Sequence, residues 1–219
     1  MPANAGTHDP RQAIIEACRA MNASGLNQGT SGNVSVRDGD GLLITPSGVP
    51  YDRLEPADIV RLDMAGAATG ALKPSSEWRF HRDILAARPE AGAVVHAHPA
   101  HATALAINRM AIPPVHYMVA VAGGRDIPVA DYATFGTQEL SRHILAAMDG
   151  RTCCLMANHG LVATGPTLAK ALWCAEEVET LAKQYILALQ AGTPTLLSDA
   201  EIDRVLEKFK TYGPRDKGN

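Results

Sequence analysis

Ile14, Ile15, Cys18 and Met21 recur at three- and four-residue spacing behind Asp9-Pro10, which predicts an opening amphipathic helix. Pro suits the first helical position, Gln12 lies three residues after Asp9, and Ser24-Gly25 closes the pattern. A polar loop over 27–32 then leads into two alternating runs, 34–37 and 42–45, around Asp38-Gly39-Asp40-Gly41, the signature of a hairpin. Residues 59–64 read as a further strand, 65–70 as a flexible turn, and 77–88 as a helix stopped by Pro89. A strand over 93–98 is followed by a helix opened by Pro99 and running to about Asn108. Beyond it, 112–121 reads as extended and 137–148 as a helix, with two strands, 152–157 and 161–164, around Asn158-His159-Gly160. The longest helix spans 167–190, with Leu168, Leu172, Ala175, Val178, Ala182, Tyr185 and Leu189 on one face. Ser198 with Glu201 makes a capping box for a last helix ending before Gly213-Pro214.

Hairpins mixed with helices, without regular βα alternation, predict a largely antiparallel or mixed sheet with helices packed on it. No internal repeat or linker interrupts the pattern, so residues 10–210 are expected to form one domain, with 1–9 as an N-terminal arm and 211–219 as a loose tail.

Composition sharpens this picture. The 219 residues are 46% hydrophobic and 20% charged, enough apolar material for one sizeable core. A formal net charge of -3 without a basic stripe argues against a nucleic-acid partner. The N-terminus lacks a basic and an apolar leader segment, and no stretch approaches the roughly 18 apolar residues that span a bilayer, so a cytoplasmic protein without a membrane partner is expected. Cys153 and Cys154 are adjacent in an apolar strand and point to opposite faces, so they cannot easily pair; with Cys18 and Cys174 they read as small core residues.

The chemistry-bearing pattern is His96-Ala97-His98 on a strand. Side chains at i and i+2 share a face with Cβ atoms about 7 Å apart, so two imidazoles so placed can chelate one metal ion. His159, in a tight turn beyond a buried strand, is a third candidate ligand, and three neutral imidazoles with an open position are the coordination style of catalytic zinc. His8, His81, His101, His116 and His143 need no such role. Thr30-Ser31-Gly32-Asn33, Thr45-Pro46-Ser47-Gly48 and Pro74-Ser75-Ser76 offer hydroxyl and backbone N–H donors to an anion, or serve as hairpin turns and helix caps. Glu77 is either a first-turn acid that complements a helix dipole, or a general base and metal ligand; Tyr117 is either a half-buried aromatic or a phenolic proton donor.

In order along the chain, SGNVSVR, LLITPSGVPYDRL, KPSSEWRFH, AVVHAHPAHATAL, IPPVHYMVAVAGG, DYATFGTQEL, NHGLVATG and KALWCAEEVETLAKQY resemble the class II aldolase/adducin family, and within it the L-fuculose-1-phosphate aldolase branch. The resemblance covers about residues 10–190. It implies a single-domain α/β fold, with a central, mostly antiparallel sheet flanked by helices on both sides, assembled as a cyclic homotetramer with active sites between subunits. It also implies Zn2+, or another divalent metal such as Mn2+ or Co2+, held by His96, His98, His159 and Glu77. By matching positions Asn33, Ser47, Gly48, Ser75 and Ser76 would hold a substrate phosphate, Glu77 would act as base, and Tyr117 would donate a proton from the adjacent chain. The family's C-terminal tyrosine would correspond to Tyr212.

The activity implied is reversible cleavage of a ketose 1-phosphate of the L-fuculose 1-phosphate type into dihydroxyacetone phosphate and an aldehyde. Similar enzymes act on 5-deoxyribulose or 5-methylthioribulose 1-phosphates in salvage. The pentulose-5-phosphate 4-epimerase branch typically carries Asp where Glu77 stands, and a non-catalytic scaffold of the adducin kind would be expected to lose metal ligands.

Overall fold

The computed structural model describes residues 9–210; the expectations for the N-terminal arm before Asp9, for Tyr212 and for the tail lie outside the described residues. Eight strands form one sheet: β1 (Asn33–Asp38), β2 (Gly41–Ile44), β3 (Val60–Asp63), β4 (Ala68–Thr69), β5 (Ala93–Ala97), β6 (Val129–Ala130), β7 (Cys153–Met156) and β8 (Gly160–Gly165). Their order is β4-β3-β2-β1-β5-β8-β7-β6, and every neighbouring pair is antiparallel except β6 with β7. This is the expected α/β architecture with a mostly antiparallel sheet.

Six α-helices cover both faces: α1 (Pro10–Ser24), α2 (Trp78–Ala87), α3 (Ala100–Ile107), α4 (Gln138–Ala147), α5 (Leu168–Ala191) and α6 (Asp199–Phe209). On one face Ile14 of α1, Leu105 of α3, Val178 of α5 and Ile202 of α6 join Val34, Val95 and Leu161 of the sheet. On the other, Phe80 and Ile84 of α2 and Leu140 and Ile144 of α4 pack on Leu42, Val94 and Val162. Each such aliphatic side chain, fully buried, contributes roughly 1.5–3 kcal/mol. Cys153 and Cys154 fall into opposite cores, and all four cysteines are free and buried. No helix among the described residues is long and apolar enough to cross a membrane.

Local chemistry sets the element boundaries. The Asp9 carboxylate accepts from the Arg11 backbone N–H at 2.9 Å to start α1, and Gly25, at φ +76°, ends it in the left-handed conformation that glycine tolerates best. Arg37 donates to the carbonyls of Leu85, Arg88 and Ala91, closing the end of α2 just before and after Pro89.

Two expectations are corrected, and one strand is added. The flexible turn at 65–70 contains the short strand β4. The segment read as extended over 112–121 makes only an isolated bridge, Ile112 with Ile127, and then a 3-10 turn, Tyr117–Ala122, capped by His116 Nδ1 accepting from the Met118 N–H at 3.2 Å. Strand β6 has no counterpart in the sequence reading.

Candidate metal centre and active site

Alternation along β5 divides its side chains: Ala93, Val95 and Ala97 enter the α1/α3/α5 core, whereas Val94 enters the α2/α4 core. His96 shares the parity of Val94 and meets Phe80 of α2 edge to face at 5.5 Å. The register sets His96 opposite Asn33 on β1 and Val162 on β8. Its Nδ1 lies 2.7 Å from the Leu161 carbonyl, which accepts the Nδ1–H and leaves the Nε2 lone pair free.

His98 stands one residue beyond β5, with Nε2 2.9 Å from His96 Nε2. His159 sits in the turn between β7 and β8, after Asn158 in a left-handed conformation at φ +53°. The three rings meet edge to face with centroids 4.7, 4.8 and 4.9 Å apart. Gly160 permits this closeness, since a Cβ there would lie 2.3 Å from the Ala97 carbonyl oxygen and 2.8 Å from the His98 ring.

Glu77, the residue before α2, points its carboxylate into the same space, with Oε2 3.1 Å from His96 Nε2 and Oε1 3.3 Å from His159 Nε2. One ligand atom from each of Glu77, His96, His98 and His159 lies within 4.8 Å of all the others. Burial alone would raise the Glu77 pKa, but the adjoining His96 and His159 imidazoles and the Asn33 hydrogen bond outweigh it and hold the carboxyl at about 2. Burial, with His96 close by, pushes His98 down to about 3 and His159 to about 4, so both are neutral lone-pair donors near neutral pH. Glu77 Oε1 is buried without a hydrogen bond. Converging lone pairs and an unpartnered buried carboxylate oxygen are costly unless a cation binds them, so these residues fit a divalent metal ion.

A cavity of about 460 Å³ opens beside this cluster, lined by Glu77, His98 and His159 on one side and Ser47, Gly48 and Ser76 on another. The two serine turns are joined by backbone: the Ser75 N–H donates to the Thr45 carbonyl at 2.9 Å and the Ser47 N–H to the Lys73 carbonyl at 3.1 Å. Ser75 is buried behind the wall, its Oγ accepting from the Glu77 N–H at 3.3 Å. Thr30 and Ser31 also line the cavity, and Tyr132 and Phe135 add two exposed rings. Those rings are carried by a segment pressed onto the serine turn: Gly136, at φ +74°, has no room for a Cβ, which would lie 2.7 Å from the Ser76 carbonyl oxygen. The Gly136 carbonyl accepts from Arg79 Nη1 at 2.7 Å.

Residues 12–186 match the family described as Class II Aldolase and Adducin N-terminal domain. The chain belongs to this family. It is 59% identical over 203 residues to a 5-methylthioribulose-1-phosphate/5-deoxyribulose-1-phosphate aldolase of Rhodospirillum rubrum, covering 93% of this chain and 92% of the relative. It is 53% identical over 203 residues to the L-fuculose phosphate aldolase of Escherichia coli K12, covering 92% and 94%. Among solved structures, an L-fuculose 1-phosphate aldolase superposes with a TM-score of 0.90 at 40% identity, covering 95% of this chain and 100% of that one. The protein is thus a class II aldolase, a lyase of a metal-dependent class.

Not every candidate residue of the aldolase meets at the cavity. Tyr117 is 49% exposed and lines a separate groove with Met118, Leu197 and Val205. Asn33 is buried below the cluster, Nδ2 donating to Glu77 Oε2 at 3.0 Å and Oδ1 lying 2.5 Å from His81 Nε2. His81, set aside in the sequence, is completely buried and also bonded to Ser35. Its signal was the i, i+4 spacing from Glu77, which puts both at one face of α2, facing the alternate positions Asn33 and Ser35 of β1. Tyr132 and Phe135 carried no sequence signal beyond their place in the family motif.

Proposed function

We propose that this aldolase reversibly joins dihydroxyacetone phosphate and an aldehyde into a ketose 1-phosphate, forming or breaking the C3–C4 bond. The observation that carries the reading is the convergence of Glu77, His96, His98 and His159 beside a cavity with a hydroxyl-lined wall. One Zn2+ per subunit, or Mn2+ or Co2+ in the same donor set, would act as the Lewis acid that draws the charge arising at C3 onto the neighbouring C2 oxygen.

His96, His98 and His159 would hold this ion, with Glu77 as a further ligand that could detach. Ser47, Gly48, Ser75, Ser76 and the remaining amide hydrogen of Asn33 hold the phosphate through hydroxyl, amide and backbone donors close to the start of α2, where the helix dipole favours an anion. Detached, Glu77 removes a C3 proton from dihydroxyacetone phosphate in the synthetic direction, and the electron pair of that C–H bond forms the bond to the aldehyde carbon. Tyr117 of an adjacent copy gives a proton to the aldehyde oxygen, which becomes the C4 hydroxyl. Cleavage retraces these transfers, Glu77 returning its proton to C3. The exposure of Tyr117 and its place in a groove other than the cavity support a site shared between subunits of a cyclic homotetramer.

Two substrate types are supported. The relative at 59% identity favours a 5-methylthioribulose or 5-deoxyribulose 1-phosphate, and that at 53% favours L-fuculose 1-phosphate. They share the phosphate end, so discrimination falls to the aldehyde side, where Tyr132 and Phe135 are the available rings. Cleavage assays that reduce the released dihydroxyacetone phosphate enzymatically, run on these three ketose 1-phosphates, test both levels of the reading. Equal amounts of dihydroxyacetone phosphate and aldehyde are expected from at least one. Conversion to an epimer without free aldehyde would overturn the proposal.

A further inference from the structure

Behind the carboxylate of Glu77 lies a buried hydrogen-bonded series whose far members, His81 and Ser35, the chemistry above leaves unused. Ser35 Oγ is 2.8 Å from His81 Nδ1, His81 Nε2 is 2.5 Å from Asn33 Oδ1, and Asn33 Nδ2 is 3.0 Å from Glu77 Oε2. Ser35 and His81 are wholly buried, and Asn33 and Glu77 are each 4% exposed. The Phe80 ring stacks on His81 with centroids 4.6 Å apart and planes 24° from parallel, which fixes the imidazole plane.

One polarity satisfies every member. An ionised carboxylate only accepts, so the Asn33 amide turns its NH2 group to Glu77 and its oxygen to His81. His81 Nε2 must then carry the hydrogen, Nδ1 has the lone pair, and the Ser35 hydroxyl donates to it. The reverse assignment would set an amide oxygen 3.0 Å from a carboxylate oxygen, two acceptors face to face in a buried site. Burial, reinforced by the nearby His96 imidazole, pushes the His81 pKa down to about 3, so this imidazole stays neutral with its single hydrogen in place.

The two oxygens of Glu77 are therefore unequal. Oε2 has a standing donor, and a proton placed on it would meet the Asn33 N–H. Oε1 is buried without a hydrogen bond. We propose that His81 is a positioning residue which, through Asn33, keeps Oε2 of Glu77 as an acceptor and reserves Oε1 as the oxygen that takes and returns the substrate proton. This rests on Glu77 being the base.

Nitrogen-15 NMR of the wild-type chain, with and without zinc, reads the tautomer directly. A hydrogen on Nε2 of His81 from pH 5 to 8 is expected, and one on Nδ1 would overturn the proposal. Replacing His81 by Phe removes the donor. It should lower kcat by about 10–100-fold, the usual range for a residue that orients a catalytic group. KM should change far less, zinc content should stay the same, and exchange of the C3 hydrogens of dihydroxyacetone phosphate with D2O should slow in parallel with kcat. His81→Gln, whose amide nitrogen can stand in for Nε2–H, should regain most of both rates, whereas His81→Asn, too short to reach Asn33, should not. This Gln and Asn pair decides the matter if the Phe variant does not fold. A lower melting temperature with unchanged kcat and exchange would make His81 merely structural and sink the idea. Glu77→Gln separates the two levels: wild-type exchange in that variant removes the base and this proposal with it. Lost exchange there, together with wild-type exchange in His81→Phe, removes only the role of His81.

Discussion

His96 is completely buried, its tautomer fixed by the Leu161 carbonyl and its ring backed by Phe80, whereas Tyr117 is 49% exposed on a 3-10 turn over a separate groove. Around His96 the imidazole itself, the Asn33 amide and Glu77 Oε2 are each held by a hydrogen bond before any substrate arrives. Tyr117 instead packs its ring beside His116, with centroids 4.6 Å apart. Under the proposed function, the difference separates a half-site that one chain completes by itself from a half-site that an adjacent copy would complete. Preorganisation of the first kind suits a site where charge develops, because its dipoles need not reorient during the reaction.

The sharpest way to break this comparison is to remove the buried half. His96→Ala should release the metal and reduce cleavage by at least about a thousandfold, as expected when a catalytic ion is lost. Metal analysis alongside the cleavage rate checks it, and full activity in a metal-free sample would contradict it. Tyr117→Phe should cost less, about 10²-fold in kcat for one lost proton donor, with metal content intact and thermal stability almost unchanged, since the hydroxyl is removed from a half-exposed ring. A substantial drop in melting temperature would show that Tyr117 is a packing residue after all. Reassembling equal amounts of Glu77→Gln and Tyr117→Phe chains sharpens the contrast further: random mixing across head-to-tail interfaces leaves about one site in four intact. No recovery in proven mixed oligomers would put both residues in one chain's site.

The smallest effect concerns acid. His81 is pushed down to about 3 in the folded chain by burial first and the nearby His96 imidazole second. In the unfolded chain it titrates near the ordinary value of about 6.5, so below that pH the unfolded state binds the extra proton and gains. The stabilisation is whole above about pH 6.5 and is lost as pH falls toward 3; at pH 5 this group alone costs about 2 kcal/mol. Urea unfolding of the metal-free chain at pH 7 and pH 5 measures the loss, which should shrink in His81→Gln and stay the same in Tyr117→Phe.

Much of this was legible in the chain itself. The period-two pair His96 and His98 and the turn residue His159 could be named as ligands because strand alternation is strictly local. Helices α1, α2, α4 and α5 were readable from their apolar spacing and caps for the same reason. Strands β4 and β6 were not, because two residues carry no period; only their neighbours β3 and β7 make them strands. The run Tyr117–Ala122 is mostly apolar and looks extended, yet packing against α5 and α6 and the His116 cap coil it. His81 looked like one more helical histidine because its partners, Asn33 and Ser35, lie 48 and 46 residues away in sequence. Polar partnerships across the fold are invisible until the sheet register is known.

Gly136 bears on how this enzyme can be altered. Its close approach to the Ser76 carbonyl and the Arg79 side-chain bond to its own carbonyl fix the spacing between the ring-bearing segment and the serine turn without involving the two rings. The rings at 132 and 135 are then exchangeable parts on a frame of constant width. Smaller or larger side chains at those two positions reshape the room above the cluster, while the frame keeps its gauge; a methyl group at 136 would instead move the whole wall.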